Sequence, residues 1–159
     1  MRAAVIYYSL EGNTEFIARM IAEEAKAKMF KLETRKEFPT KGFKKFFVSG
    51  GSVLFHRKPE LKEESFNLEA YDTLIIGSPI WAGTYASPLN TFLSSNEIKN
   101  KTIYLFACHG SGDADKYYSK MKERLHGNII ADTIDFLEPI KKDKCEIAKK
   151  VSQFCKANF

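Results

Sequence analysis

Ser9-Leu10-Glu11-Gly12-Asn13-Thr14 brings two hydroxyls, a glycine and an amide together at one turn. The apolar run Ala3-Ala4-Val5-Ile6 precedes it, and Phe16, Ile17, Met20 and Ile21 follow at helical spacing, so a strand turns through small polar residues into a helix. The free N–H groups of that first helical turn, joined by the Ser9 and Thr14 hydroxyls, face whatever lies above the strand's carboxyl end. A phosphate suits that position. Spacing excludes two larger phosphate binders: Gly12 lacks the earlier Gly and the Lys of G-x-x-x-x-G-K-[ST], and no G-x-G-x-x-G follows the first strand. What is left is a loop for one terminal phosphate, or else a turn in which Ser9 or Asn13 merely caps the helix.

Two further loops follow apolar runs in the same way. Thr73-Leu74-Ile75-Ile76-Gly77 enters Ser78-Pro79-Ile80-Trp81-Ala82-Gly83-Thr84-Tyr85, and Ile103-Tyr104-Leu105-Phe106-Ala107 enters Cys108-His109-Gly110-Ser111-Gly112-Asp113. Trp81 offers a broad apolar face on which a flat, electron-poor ring would stack, although a lone Trp also serves as core or as an interface anchor. Gly83 permits a positive φ, which turns a backbone carbonyl or N–H toward a ligand.

Cys108 before a Gly-rich loop suggests the cradle of a thiol phosphatase, but the arginine of C-x5-R is here Ala114. Cys108 therefore reads as a small packing residue. His109 is either a proton relay or an ordinary loop histidine. No G-x-S-x-G elbow and no metal-spaced cluster of His, Cys or carboxylate is present.

The elements that must position these loops alternate strand and helix. Besides the three buried runs, Phe30 to Thr34 reads as an edge strand and Asn128 to Phe136 as the last strand; helices are expected from Asn13 or Thr14, through Asn90 to Leu93, after Asp113 to about Leu125, and from Asp143 to Lys156. Between Glu37 and Pro59, Phe43, Phe46, Phe47, Val53, Leu54 and Phe55 suggest a helix weakened at Gly50-Gly51. The pattern predicts an α/β fold: a three-layer, doubly wound, five-stranded parallel sheet in the order 2-1-3-4-5. That order sets the ends of strands one, three and four side by side at the topological switch point, which is where the three loops lie.

With 159 residues, 44% of them hydrophobic and 28% charged, the chain fits one domain over residues 1–159. No apolar run is long enough for a membrane span, and Met1-Arg2 leads straight into the first strand, so a cytoplasmic location is expected. Three cysteines, Cys108, Cys145 and Cys155, fit no disulfide framework and are expected as thiols. The net charge of +5 is concentrated at residues 41–62 and 141–156. No aromatic stacking platform is interleaved with a continuous basic strip outside the amphipathic helices, which argues against nucleic acid. Lys44, Lys45, Arg57 and Lys58 would suit an acidic protein partner or a nucleotide phosphate equally.

On these residues the chain resembles the flavodoxin family over essentially its full length. Ser9-Leu10-Glu11-Gly12-Asn13-Thr14 is similar to that family's T/S-x-T/S-G-N-T loop for the phosphate of flavin mononucleotide (FMN), with Glu11 in place of a hydroxyl. A carboxylate would repel a phosphate, so Glu11 is expected to point outward. The resemblance implies a flavodoxin-like fold and noncovalent FMN. Ser9, Leu10, Glu11, Gly12, Asn13 and Thr14 would surround the phosphate; Pro79, Ile80, Trp81, Ala82, Gly83 and Tyr85 would hold one side of the ring; Cys108, His109, Gly110, Ser111 and Gly112 would hold the other. That third loop lacks the family's stacking Tyr, the first aromatic after it being Tyr117. Desolvation and the absence of a nearby cation would disfavour a negatively charged reduced flavin and lower its potential. The implied function is an electron carrier passing electrons singly to or from redox partner proteins. A nicotinamide-dependent flavin reductase acting on a quinone or similar acceptor, and a flavin-free binding module, are the alternatives.

Overall fold

The computed structural model describes residues 2–40, 51, 57–63, 65–110 and 112–159. Most of the expected helix between Glu37 and Pro59 lies outside these residues, as do Lys44, Lys45 and the loop residue Ser111.

Strand β1 (Ala3–Tyr7) is buried at every position, because it is paired on both edges and covered on both faces. Its neighbours β2 (Lys28–Lys31) and β3 (Thr73–Trp81) are parallel to it, β5 (Thr102–His109) lies beyond β3, and β6 (Ile129–Leu137) closes the far edge. The five parallel strands thus follow the expected order. A sixth, β4 (Thr84–Tyr85), was not expected; it folds back antiparallel on β3, pairing Ile80 with Tyr85 and Trp81 with Thr84.

This hairpin exists because β3 runs past Gly77, where Ser78-Pro79 suggested a stop. Gly77 O accepts from Tyr8 N on the β1 side, so two residues on, the missing N–H of Pro79 faces the same side. β1 has ended by then, at the Tyr7–Gly77 pair, and no ladder bond is lost. Strand β2 corrects the expectation of Phe30 to Thr34: its parallel register with β1 ends at Tyr7–Lys31, and Thr34 instead bridges Leu61.

Alternate residues of each strand sort to opposite faces. Ala4, Ile6, Leu74, Ile76 and Leu105 pack beneath α2 (Ser87–Ser95) and α3 (Asp115–Arg124), where Phe92 and Tyr117 are fully buried. Val5, Tyr7, Ile75, Tyr104 and Phe106 pack against α1 (Asn13–Glu24) and α4 (Lys144–Asn158) through Ile17, Ile21, Val151 and Phe154. Asp143 caps α4 by accepting from Glu146 N at 2.9 Å. None of the described helices is long and apolar enough to cross a membrane.

Candidate functional site

At the carboxyl ends of β1, β3 and β5 the three loops enclose a cleft of about 1010 Å³. Ser9, Leu10, Glu11, Asn13 and Thr14 line one end, Pro79, Ile80, Trp81, Ala82 and Gly83 the next wall, and Cys108, His109, Gly110 and Gly112 the third. Gly12 and Tyr85 are not part of the lining, and Ser111 lies outside the described residues. Gly12 is the N-cap of α1, with φ +91°. Tyr85 packs against the α2/α3 core, and burial raises the pKa of its hydroxyl, which points toward Arg124.

The phosphate-loop end carries the strongest sign of a ligand. Helix α1 has no side-chain cap, so neither Ser9 nor Asn13 serves as one. Ser9 Oγ and Thr14 Oγ1 are buried without a hydrogen-bond partner, Thr14 having only the weak Cys108 thiol beside it. Buried hydroxyls without partners cost about 1–3 kcal/mol each. Their place at a helix N-terminus, where first-turn N–H groups also lack intrahelical partners, fits a phosphate monoester. Asn13 plays a different part: its Oδ1 accepts from Ile140 N at 3.2 Å and ties the loop to the 3₁₀ turn Pro139–Lys141. Glu11 is exposed. Its charge supplements the Glu138 ion pair in raising the pKa of Lys141.

Trp81 is more buried than a strand end implies, at 8% exposure, because Tyr8 and Phe38 close on it edge to face at centroid distances of 5.5 and 5.0 Å. It still forms part of the cleft wall. Beyond it, Ala82 and Gly83 adopt φ +48° and +79°, the signs of a type I′ hairpin turn. Buried Ser78 braces the hairpin, its Oγ accepting from Ala86 N at 2.9 Å and donating to Pro79 O at 2.8 Å.

On the third wall, burial pushes the Cys108 thiol up to about 12, so it is no nucleophile near neutral pH. Unfolded, it titrates at its ordinary 9.0, so its contribution to stability is present below that pH and is lost as pH rises toward about 12. Cys155 is likewise buried and raised to about 11, whereas Cys145 is exposed. In native protein at pH 8 an alkylating reagent is therefore expected to label Cys145 and spare the other two; rapid labelling of Cys108, read by peptide mass, would contradict the packing described here.

His109 Nε2 donates to Asp135 Oδ2 at 2.9 Å, and its Nδ1 is buried without a partner. Asp113, the last residue of the third expected loop, also lines the cleft, as do Lys116 and Glu138, which sequence reasoning did not place in the site. Lys116 overturns the expected absence of a nearby cation. A Cβ placed on Gly83 would lie 3.3 Å from Lys116 Cδ and 3.7 Å from its Nζ, so the glycine makes room for this side chain. No local motif signals that approach between residues 33 positions apart.

Solved structures share this architecture. A candidate flavoprotein from Bacteroides uniformis superposes with a TM-score of 0.81 at 22% identity, covering 98% of this chain and 97% of that one. A flavoprotein from Lactobacillus acidophilus NCFM, solved in complex with FMN, gives 0.73 at 22% identity over 84% of this chain and 92% of that one. Oxidised flavodoxin 2 from Bacillus cereus gives 0.62 at 18% identity over 99% and 97%. Likeness at such identity speaks for the fold, and no curated protein matches the sequence. Membership rests on the sequence itself: the flavodoxin family model matches residues 2–150, which take in all three loops of the cleft, and the chain belongs to that family.

Proposed function

We propose that the cleft binds FMN noncovalently and that the protein is an electron carrier, passing electrons singly between partner proteins in the cytoplasm. The observation that carries this reading is the pair of buried hydroxyls at the start of α1, Ser9 Oγ without a partner and Thr14 Oγ1 with only the weak Cys108 thiol beside it. They fit the phosphate of FMN, which distinguishes it from riboflavin. Trp81 and the Ala82-Gly83 turn lie on the wall of the same cleft and would hold the ring; when bound, the flavin supplies the redox chemistry. Family membership and the FMN held by the Lactobacillus relative support the choice of cofactor. The basic segments at 41–62 and 141–156 suit acidic partners.

Titrating the purified apoprotein with FMN tests the binding, with quenching of flavin fluorescence as the readout. Unchanged fluorescence rejects the flavin reading altogether. Trp81→Ala is expected to weaken FMN binding by about 1–3 kcal/mol, the scale of an aromatic stack with its buried area; undiminished affinity would place the ring elsewhere. Carrier and reductase separate on turnover: sustained nicotinamide-dependent reduction of a quinone, with no reductase added, would reject the carrier reading.

A further inference from the structure

Among the described residues that line the cleft, the acidic ones are Glu11, Asp113 and Glu138, and Lys116 is the one Lys or Arg. The charges are not evenly spread. Glu11 and Glu138 belong to the phosphate-loop end, where both act on Lys141. Lys116 lies at the other end, its chain packed over the Gly83 turn with the ammonium 3.7 Å from where a Cβ on Gly83 would stand. Asp113 shares that side, and its Oδ1 accepts from Asp115 N at 3.2 Å as the chain enters α3. Lys120, one turn on along α3, is engaged differently: it pairs with Glu123 at 2.8 Å. Lys116 has no ion pair among the described residues.

We infer that Lys116 tunes the cofactor's potential, supplying the positive charge that favours the reduced, anionic ring over the neutral oxidised one. The inference rests on FMN occupying the cleft as proposed above. Its charge balance is simple: two electrons from a reductant and one proton from solvent leave the neutral ring with one negative charge. Lys116 is exposed to solvent yet stands on the cleft wall, and a cation at that wall acts on the charge of the reduced ring and not on the oxidised one. Hydrophobic packing positions the ammonium, since its methylenes lie over a residue without a side chain. Lys116 is thus a tuning residue, and it should contribute little to the affinity for oxidised FMN.

The test is potentiometric titration of FMN-loaded protein with dithionite, comparing wild type with Lys116→Met, Lys116→Arg and Lys120→Met. Lys116→Met is expected to lower the midpoint of the second one-electron step by about 59 mV, a tenfold loss of the anionic form. The pH at which that midpoint changes slope should rise by about one unit in the same variant. Lys116→Arg should keep the wild-type midpoint, and Lys120→Met, which removes the same charge outside the cleft, should too. Affinity for oxidised FMN should stay within about twofold in all of them, and added salt should bring wild type toward Lys116→Met. An unchanged midpoint in Lys116→Met, or an equal shift in Lys120→Met, overturns the inference while leaving FMN binding intact. Failure of the wild-type protein to bind FMN instead overturns the functional reading, and this inference with it.

Discussion

Gly77→Ala is expected to destabilise the protein by about 3 kcal/mol or more, at the upper end of the usual cost of overpacking. Gly77 lies in the middle of the sheet, paired with Tyr7 on one side and Phe106 on the other. A Cβ there would lie 1.9 Å from Phe106 Cζ and 2.2 and 2.3 Å from its ring Cε atoms. The Phe106 ring is fully buried against the α1/α4 layer, so it has no open space into which to retreat. For a chain of this size the loss corresponds to a fall in Tm of about 6–12 °C. Thermal and urea unfolding read it. The double variant Gly77→Ala/Phe106→Leu should recover part of the loss, because the smaller side chain vacates the space the methyl needs. Full additivity of the two substitutions would show that the strain lies elsewhere.

Removing both hydroxyls of the phosphate loop should move function and stability in opposite directions. In Ser9→Ala/Thr14→Val the two buried, partnerless oxygens are gone. The apoprotein should then become more stable by about 1 kcal/mol or more, since an unsatisfied buried hydroxyl costs about 1–3 kcal/mol. Hydrogen bonds to a charged phosphate are worth about 1.5–3 kcal/mol each, so FMN affinity should fall by about 3 kcal/mol or more, over a hundredfold. Riboflavin, which has the same ring and no phosphate, should bind both proteins alike. Calorimetric unfolding of the apoprotein and parallel fluorescence titrations with the two flavins measure all three quantities. Equal weakening of both ligands would mean that the hydroxyls support the ring or the loop shape, and the phosphate assignment would be wrong.

Much of the fold could be read from three runs, Ala3-Ala4-Val5-Ile6, Thr73-Leu74-Ile75-Ile76 and Ile103-Tyr104-Leu105-Phe106, because a parallel strand covered on both faces reads as a near-continuous apolar run. Topology then required their carboxyl ends, and the loops that follow, to meet. The β3–β4 hairpin was hidden for a local reason: a two-residue turn usually advertises itself with Asn-Gly or Asp-Gly, and here Ala82 takes the positive φ without that signature. The limits of β2 depended on where β1 stops, information held in a different part of the chain. The remaining gaps are likewise matters of distant contact. Trp81 looks exposed in sequence and is covered by Tyr8 and Phe38; Lys116 reaches the cleft across Gly83; His109 finds Asp135 on the neighbouring strand. None of these meetings leaves a mark in the spacing of nearby residues.

The bond from Ile140 N to Asn13 Oδ1 joins positions 127 residues apart. Any fluctuation that lifts the turn at 139–141 therefore withdraws a support from the first residue of α1, and a seated anion that steadies α1 steadies that turn in return. Hydrogen–deuterium exchange at the Ile140 amide becomes a distant gauge of occupancy, slowing when the berth is filled although this amide need not touch the occupant.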